Sequence, residues 1–372
     1  MMIAISTGIG LQQKIREKLS GFTGHIQVTN FDSNNSEITL EPVSKNQDFY
    51  PEFTTVSNVK NVQVFATKAG IIRTETDFEG IIFKGVSEDY DWTFFKEYLV
   101  EGNLPCFSGE VSNEVLISKE ISNRLQIHLG DEFNILFVKE DPSKAPWIRV
   151  VKAVGVYNSG FMEFDENFVM ADIRHIQKMN RWSEAEVGGF EVILNDFNEI
   201  DSKSEAIYAQ TGATLNSESV VEKYPGIFEW INLFDTNIYL IIAIMILVAG
   251  INMITALLVL ILERTQMVGI LKALGSSNIS IRKVFLYNAG YLILRGLFWG
   301  NLIGLAILLI QKYTGIVTLD SETYYVNEVP IYLDFGYVLL LNLGTLVLCL
   351  VMLIVPSIVI SKINPAKSIK FE

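Results

Sequence analysis

Cysteine and histidine are scarce in this 372-residue chain, which holds two of the first and three of the second. Cys106 lies in a polar stretch and Cys349 in an apolar run near the C-terminus, so no disulfide framework is expected and the fold must rest on its own core. His25, His128 and His175 are scattered, and no spacing suits a metal site or a Ser-His relay. The phosphate loop GxxxxGK[ST], the GxSxG elbow and HExxH are all missing, which removes the common catalytic frameworks. Ser280–Lys283 satisfies SxxK, but a lone match in a basic stretch beside an apolar run is attributed to chance. The expectation is a protein with no catalytic and no metal-binding residue of its own. Basic charge is also short: residues 21–235 carry 17 Lys and Arg against 35 Asp and Glu, a net of −18. So acidic a stretch argues against nucleic-acid binding.

Long apolar runs are present, and they are confined to one part of the chain. Hydrophobic residues make up 49% of the sequence, charged ones only 19%, and from Ile238 onward the charges thin out. A bilayer crossing needs about 20 mostly apolar residues as helix. Residues 238–262 contain no charged side chain over 25 positions, a length of about 37 Å at the helical rise. Residues 284–310 form a second crossing interrupted by Arg295, and 336–360 a third with Pro356 near its end. Buried helices of a soluble protein would keep a polar face over such lengths. Met1–Leu11 reads as the last half of a fourth crossing, too short to span by itself and unlike a secretory signal; a start codon further upstream, or a shortened first helix, is expected. Gln12–Leu19 would carry that helix out of the membrane as a stalk, so that residues 1–20 form one segment.

Loop charge sets the expected orientation. The link 263–283 has a net of +3 and the tail 361–372 a net of +2, so both belong on the cytoplasmic side. The link 312–335 has a net of −3 and belongs outside, together with the acidic domain 21–235. Lys14, Arg16 and Lys18 are basic on the outer side, and are read as a stalk face that snorkels or pairs with that domain. Arg295, the one charge within a crossing, is either functional or snorkelling. Gly296, Gly300 and Gly304 recur every four residues, a small-residue stripe suited to close helix packing within the subunit or across a dimer.

Within 21–235, strand-like runs occur at His25–Val28, Val62–Ala66, Gly80–Lys84, Glu114–Ser118, Glu132–Val138, Ile148–Tyr157 and Phe190–Leu194, and helical patterns at Lys119–Ile127, Asp172–Met179 and Ile200–Gln210. Strands interspersed with helices, without regular βαβ spacing, place the domain in the α+β class.

The basic link carries the most specific pattern. Met267, Ile270, Leu271 and Leu274 recur at helical spacing, Gly275 can end the helix, and Ser276 or Ser277 can cap the next. Such a helix either rests on lipid headgroups or seats in a groove of a cytoplasmic partner; spacing alone leaves both open. The run Glu263-Arg264-Thr265-Gln266-Met267-Val268-Gly269-Ile270-Leu271-Lys272-Ala273-Leu274-Gly275 resembles the signature of the FtsX/MacB-like permease family. The ending Asn364-Pro365-Ala366-Lys367 is similar to that family's closing motif, and Val115–Phe133 resembles its periplasmic core domain. Only the short first helix departs from the family's layout.

The resemblance implies a membrane protein with a four-helix transmembrane bundle, the first helix truncated, plus an extracytoplasmic α+β domain, in the bacterial inner membrane. It implies mechanotransmission: a separate ABC-type ATPase holds ATP and Mg, this chain binds no cofactor, and residues 263–275, Glu263, Arg264, Met267, Gly269, Ile270, Leu271, Lys272, Leu274 and Gly275 among them, pass the movement on. A second permease subunit, identical or different, and membrane lipid are the further partners. The long outer domain favours lipoprotein-releasing permeases of the LolC/LolE type over the division-associated branch, with MacB-type export of peptides or toxins, or an anchored regulator or scaffold, as alternatives. In the lipoprotein-releasing branch a hairpin hook recruits a soluble periplasmic carrier, which makes Val138–Arg149, with Pro142, Pro146 and Trp147, the candidate hook; a surface hairpin with no partner is the alternative.

Overall fold

The structure is a computed structural model, and it describes residues 1–33, 36–74, 77–139, 143 and 145–358. The chain divides into two compact units: Gln13–Phe228 with Leu319–Asn327, and Met1–Gln12 with Glu229–Thr318 and the chain from Glu328 onward.

In the first unit, the latter part of the helix Met2–Thr23 buries Ile15, Leu19 and Phe22, which the 3.6-residue period sets on one face. Lys14 on the same helix pairs with Glu97 at 2.6 Å. The helix gives way at Gly24, whose φ of +74° suits glycine, and a Cβ there would sit 2.8 Å from Glu191 Cβ. A ten-stranded mixed sheet follows. Its order is Leu215–Ser219, Ile26–Asn30, Gly189–Leu194, Val59–Arg73, Phe78–Val86, Phe168–Asp172, Glu114–Ser118, Trp147–Tyr157 and Leu99–Gly102, with Glu132–Phe137 pairing both Val59–Arg73 and Trp147–Tyr157. Two pairings are parallel, Phe78–Val86 with Phe168–Asp172 and Glu114–Ser118 with Trp147–Tyr157.

The pairing closes a ring of six strands, and the length of Val59–Arg73 allows it. Over its first half this 15-residue strand pairs Gly189–Leu194; its last three residues pair Glu132–Phe137. Inside lie Ile72, Phe83, Val115, Ile117, Ile135, Phe137 and Val169, all at 0% exposure, a core filled by the inward half of each strand's alternation. Helices Lys119–Leu125, Arg174–Asn180 and Ile200–Gln210 pack among the strands.

Several elements differ from the sequence reading. The strand expected at Val62–Ala66 is three times longer. Phe168–Asp172, buried at every position, and the edge strand Leu215–Ser219 were not expected: the first has no polar alternation to mark it, and the second is mostly polar. A buried ion pair sits in this unit. Lys84 Nζ lies 2.6 Å from Glu191 Oε1 and donates to the Phe22 carbonyl; burial pushes the lysine's pKa down while Glu191 opposes it.

In the second unit, three helices among the described residues are long and apolar enough to cross a membrane: Pro225–Glu263, Asn278–Thr314 and Phe335–Ile354. Met2–Thr23 is a helix but not one of these: of the expected four-helix bundle, three helices are long and apolar enough to span, and the N-terminal helix, 22 residues with charged side chains from Lys14 onward, is not. Most of their apolar side chains, such as Leu240, Ile303 and Leu340, are exposed, the arrangement a lipid solvent permits. A core cluster forms from Leu257, Ile261, Phe285, Ile293, Cys349 and Leu353, among others. Beside it Asn301 and Asn342 exchange amide hydrogen bonds of 2.6 and 3.2 Å between two helices.

Candidate functional site

Thr265–Ala273, nine residues long, stands between the first two of the long helices. Arg264, at φ −103° and ψ 17°, breaks the preceding helix without ending its hydrogen bonding: Thr265 Oγ1 donates back to the Leu262 carbonyl at 2.7 Å and Val268 N to the Arg264 carbonyl at 3.0 Å. The C-terminus closes as a Schellman motif. Ser276 N donates to the Leu271 carbonyl and Gly275 N to the Lys272 carbonyl, each at 3.0 Å, with Gly275 at φ +89°. Ser277 then caps Asn278–Thr314, its hydroxyl accepting from Ser280 N at 3.2 Å.

The orientation of this short helix follows from its buried face. Val268 and Gly269 are buried, Val268 within the core cluster, and Leu271 packs against the same cluster. Met267, Ile270 and Leu274 are exposed, Leu274 at 79%. The four apolar residues expected on one face therefore separate: Leu271 turns toward the cluster beside Val268, and the other three form the outer stripe. Glu263 and Arg264 are exposed, and Lys272 is half-buried.

The glycine stripe divides as well. A Cβ on Gly304 would meet Met2 Cε at 2.6 Å, whereas Gly296 and Gly300 face open space. Among the described residues, nothing lies within 4 Å of a Cβ built on either. Arg295 is exposed.

The hairpin proposed as a hook is formed by Glu132–Phe137 and Trp147–Tyr157, with Phe137 opposite Trp147. Pro142 lies outside the described residues, as does the tail with Asn364-Pro365-Ala366-Lys367. Pro146 is exposed, and Lys139 Nζ stands 4.3 Å over the Trp147 ring. The sequence reading missed the apolar surface beside it. Ile71, Phe78, Ile148 and Val150 are all exposed, and cross-strand pairing through Leu136 brings them to one face: Ile71 opposes Leu136, Leu136 opposes Ile148, and Phe78 lies beside Arg73. Alternation of apolar residues on an outward face was the available signal.

The same unit encloses a cavity of about 390 Å³, lined by Phe22, Phe65, Lys84, Glu37, Glu218 and Lys223 among others. Elsewhere in the unit, titrating groups are displaced by burial. Asp165 is raised to about 6, chiefly by desolvation, despite bonds from Ser159 and Gly160 N; Lys18 is lowered to about 8, and His25 to about 4, again mainly by desolvation. Among the described residues no group of three or more His, Cys, Asp or Glu could hold a metal ion.

Residues 239–365 match the family model described as FtsX-like permease C-terminal. A lipoprotein-releasing system transmembrane protein LolC from Neisseria meningitidis serogroup B is 21% identical over 390 residues, covering 100% of this chain and 91% of that protein. The LolC of Haemophilus influenzae is 22% identical over 380 residues, covering 100% of this chain and 90% of that one. Among solved structures, the periplasmic region of MacB from Actinobacillus actinomycetemcomitans aligns at 14% identity with a TM-score of 0.37, over 58% of this chain and 98% of that one. The chain thus resembles FtsX-like permeases through its membrane part and LolC proteins along its full length.

Proposed function

We propose that this chain is the permease component of an ABC-type mechanotransmission complex in a bacterial inner membrane, multi-pass, with its acidic domain on the extracytoplasmic side. A separate ATPase subunit holds ATP and Mg, and a second permease subunit completes the membrane part. The cargo is a lipoprotein drawn from the outer leaflet and handed to a soluble carrier.

The observation that carries the reading is the seating of Thr265–Ala273. Val268 and Leu271 anchor this helix in the core cluster of the membrane helices while Met267, Ile270 and Leu274 project outward. An apolar stripe on an anchored helix fits a groove of a partner, and its anchoring lets a push on the stripe move the long helices on either side. Lipoprotein release is supported by the full-length likeness to LolC proteins, and a carrier by the apolar surface beside Trp147.

The test is co-purification from mild detergent of the wild type and of Ile270→Asp. An ABC-type ATPase that accompanies the wild type and is lost with the variant supports the assignment. Leu271→Asp is the weaker probe, because it also disrupts the internal cluster. If the wild type brings down no ATPase in any nucleotide state, the chain is an anchored scaffold instead. Where the ATPase does bind, ATP-dependent release of a labelled lipoprotein from proteoliposomes separates lipoprotein release from peptide export.

A further inference from the structure

The link between the last two long helices leaves the membrane unit at Leu319 and returns at Asn327, and this nine-residue segment belongs to the compact unit of the outer domain. Its neck is a short antiparallel ladder. Val329 N donates to the Val317 carbonyl at 3.1 Å, Thr318 and Glu328 form a bridge, and Leu319 N donates to the Asn327 carbonyl at 2.9 Å. A hydrogen-bonded neck passes displacement along the chain, where a flexible loop would absorb it.

At the tip, Tyr325 has φ +59°, a left-handed conformation that is a steric outlier for a bulky side chain and persists only when its surroundings hold it. What holds it is visible. Its N–H donates to the Ser321 carbonyl at 3.1 Å, and its carbonyl accepts from Lys18 Nζ at 3.0 Å. Its ring stacks on Phe161 at 4.7 Å; Phe161 stacks on Phe164 at 4.8 Å, and Phe164 on Phe22 at 4.1 Å. Gly160, at φ +65°, leaves room for Asn327, whose Nδ2 would lie 2.9 Å from a Cβ there. Four rings in series thus join the loop tip to Phe22, at the end of the N-terminal helix and against the domain core.

We infer that residues 319–327 are a mechanical coupling element, with Tyr325 the positioning residue through which the helices Asn278–Thr314 and Phe335–Ser357 move the outer domain. This inference rests on the mechanotransmission reading above and names a link within it. Because the loop is covalently continuous with both helices, their displacement reaches the ring column directly, in addition to any movement carried by the chain entering and leaving the domain.

The test uses the full-length chain co-purified with its ATPase, and reads hydrogen exchange of the outer-domain amides with and without a non-hydrolysable ATP analogue. Tyr325→Gly keeps the left-handed turn and removes the ring; Tyr325→Phe keeps the ring; Phe161→Leu breaks the column one ring further in. Tyr325→Gly and Phe161→Leu should retain ATPase binding and wild-type exchange in the nucleotide-free state, and lose about two- to tenfold of the nucleotide-dependent change, the factor a ring pair can supply. Tyr325→Phe should respond as wild type. A full response in both Tyr325→Gly and Phe161→Leu would overturn the role of the loop while leaving the permease assignment intact. Failure of the wild type to bind an ATPase, or to respond to the analogue, would overturn both.

Discussion

The two units of this chain solve opposite solvation problems with similar side chains. In the outer unit the large apolar residues are inside: Phe83, Phe137, Phe161 and Phe190 are at 0% exposure, and polar groups taken inside with them, Lys84 and Glu191, are paired. In the membrane unit Leu, Ile and Val cover the outside, the core cluster is small, and the amides that leave the lipid, Asn301 and Asn342, bond to each other. Water drives the first arrangement through apolar burial. Lipid supplies no such drive, so helix association depends on packing and on satisfied polar groups. A buried charge should therefore weigh heavily in one unit, and a buried amide lightly in the other.

The sharpest way to break this contrast is at the buried ion pair. Lys84→Ala leaves Glu191 buried without its counter-charge, with only the amides of Gln63 and Gln27 donating to it, and should cost about 3–5 kcal/mol in denaturant unfolding followed by a domain probe. Lys84→Met with Glu191→Leu should recover most of that loss. If the single variant costs no more than the double, the buried Glu191 does not depend on its counter-charge and the contrast fails.

Acid titration gives a smaller, signed effect confined to the outer unit. His25, lowered to about 4, contributes stability present above its unfolded pKa near 6.5 and lost as pH falls through 4. Asp165, raised to about 6, acts in reverse: its contribution is present below its unfolded pKa near 3.9 and lost as pH rises through 6. Over pH 4–6 the two oppose each other, each worth up to about 3 kcal/mol from the cited shifts. Asp165→Asn removes the opposing contribution, so the thermal midpoint of that variant should fall more steeply than that of wild type as pH is lowered from 6 to 4.

The smallest effect belongs to the membrane helices. Asn301→Leu should lower thermal stability in detergent by about 0.5–2 kcal/mol, and Asn342→Leu added to it should cost little more, because the second amide has already lost its partner. Fully additive losses would mean that each amide acts alone.

Legibility in the sequence followed the same division. Residues 238–262 and 336 onward stand out as membrane helices because uninterrupted apolar runs need no partner to be recognised. In the outer unit, Glu114–Ser118 and Ile200–Gln210 were readable at their observed bounds, the strand because polar residues bound its short apolar run on both sides and the helix because polar residues cover most of its surface. Phe168–Asp172 was not, because a strand buried on both faces carries no period. The apolar stripe of the short helix was read with one residue too many: Leu271 shares the helical spacing of Met267, Ile270 and Leu274, and only its neighbours show that it faces inward.

Local composition and spacing were thus enough to determine the long apolar runs, the acidity of residues 21–235, the capped short helix at 265–273 and the absence of the common catalytic motifs, because each depends on residues adjacent in sequence. The tertiary structure alone decided the six-strand ring, the burial of Lys84 against Glu191 and the grouping of 319–327 with the outer domain. Each of those joins segments separated by tens to hundreds of residues, and which distant segments meet is set by the packing of the whole unit rather than by any local period.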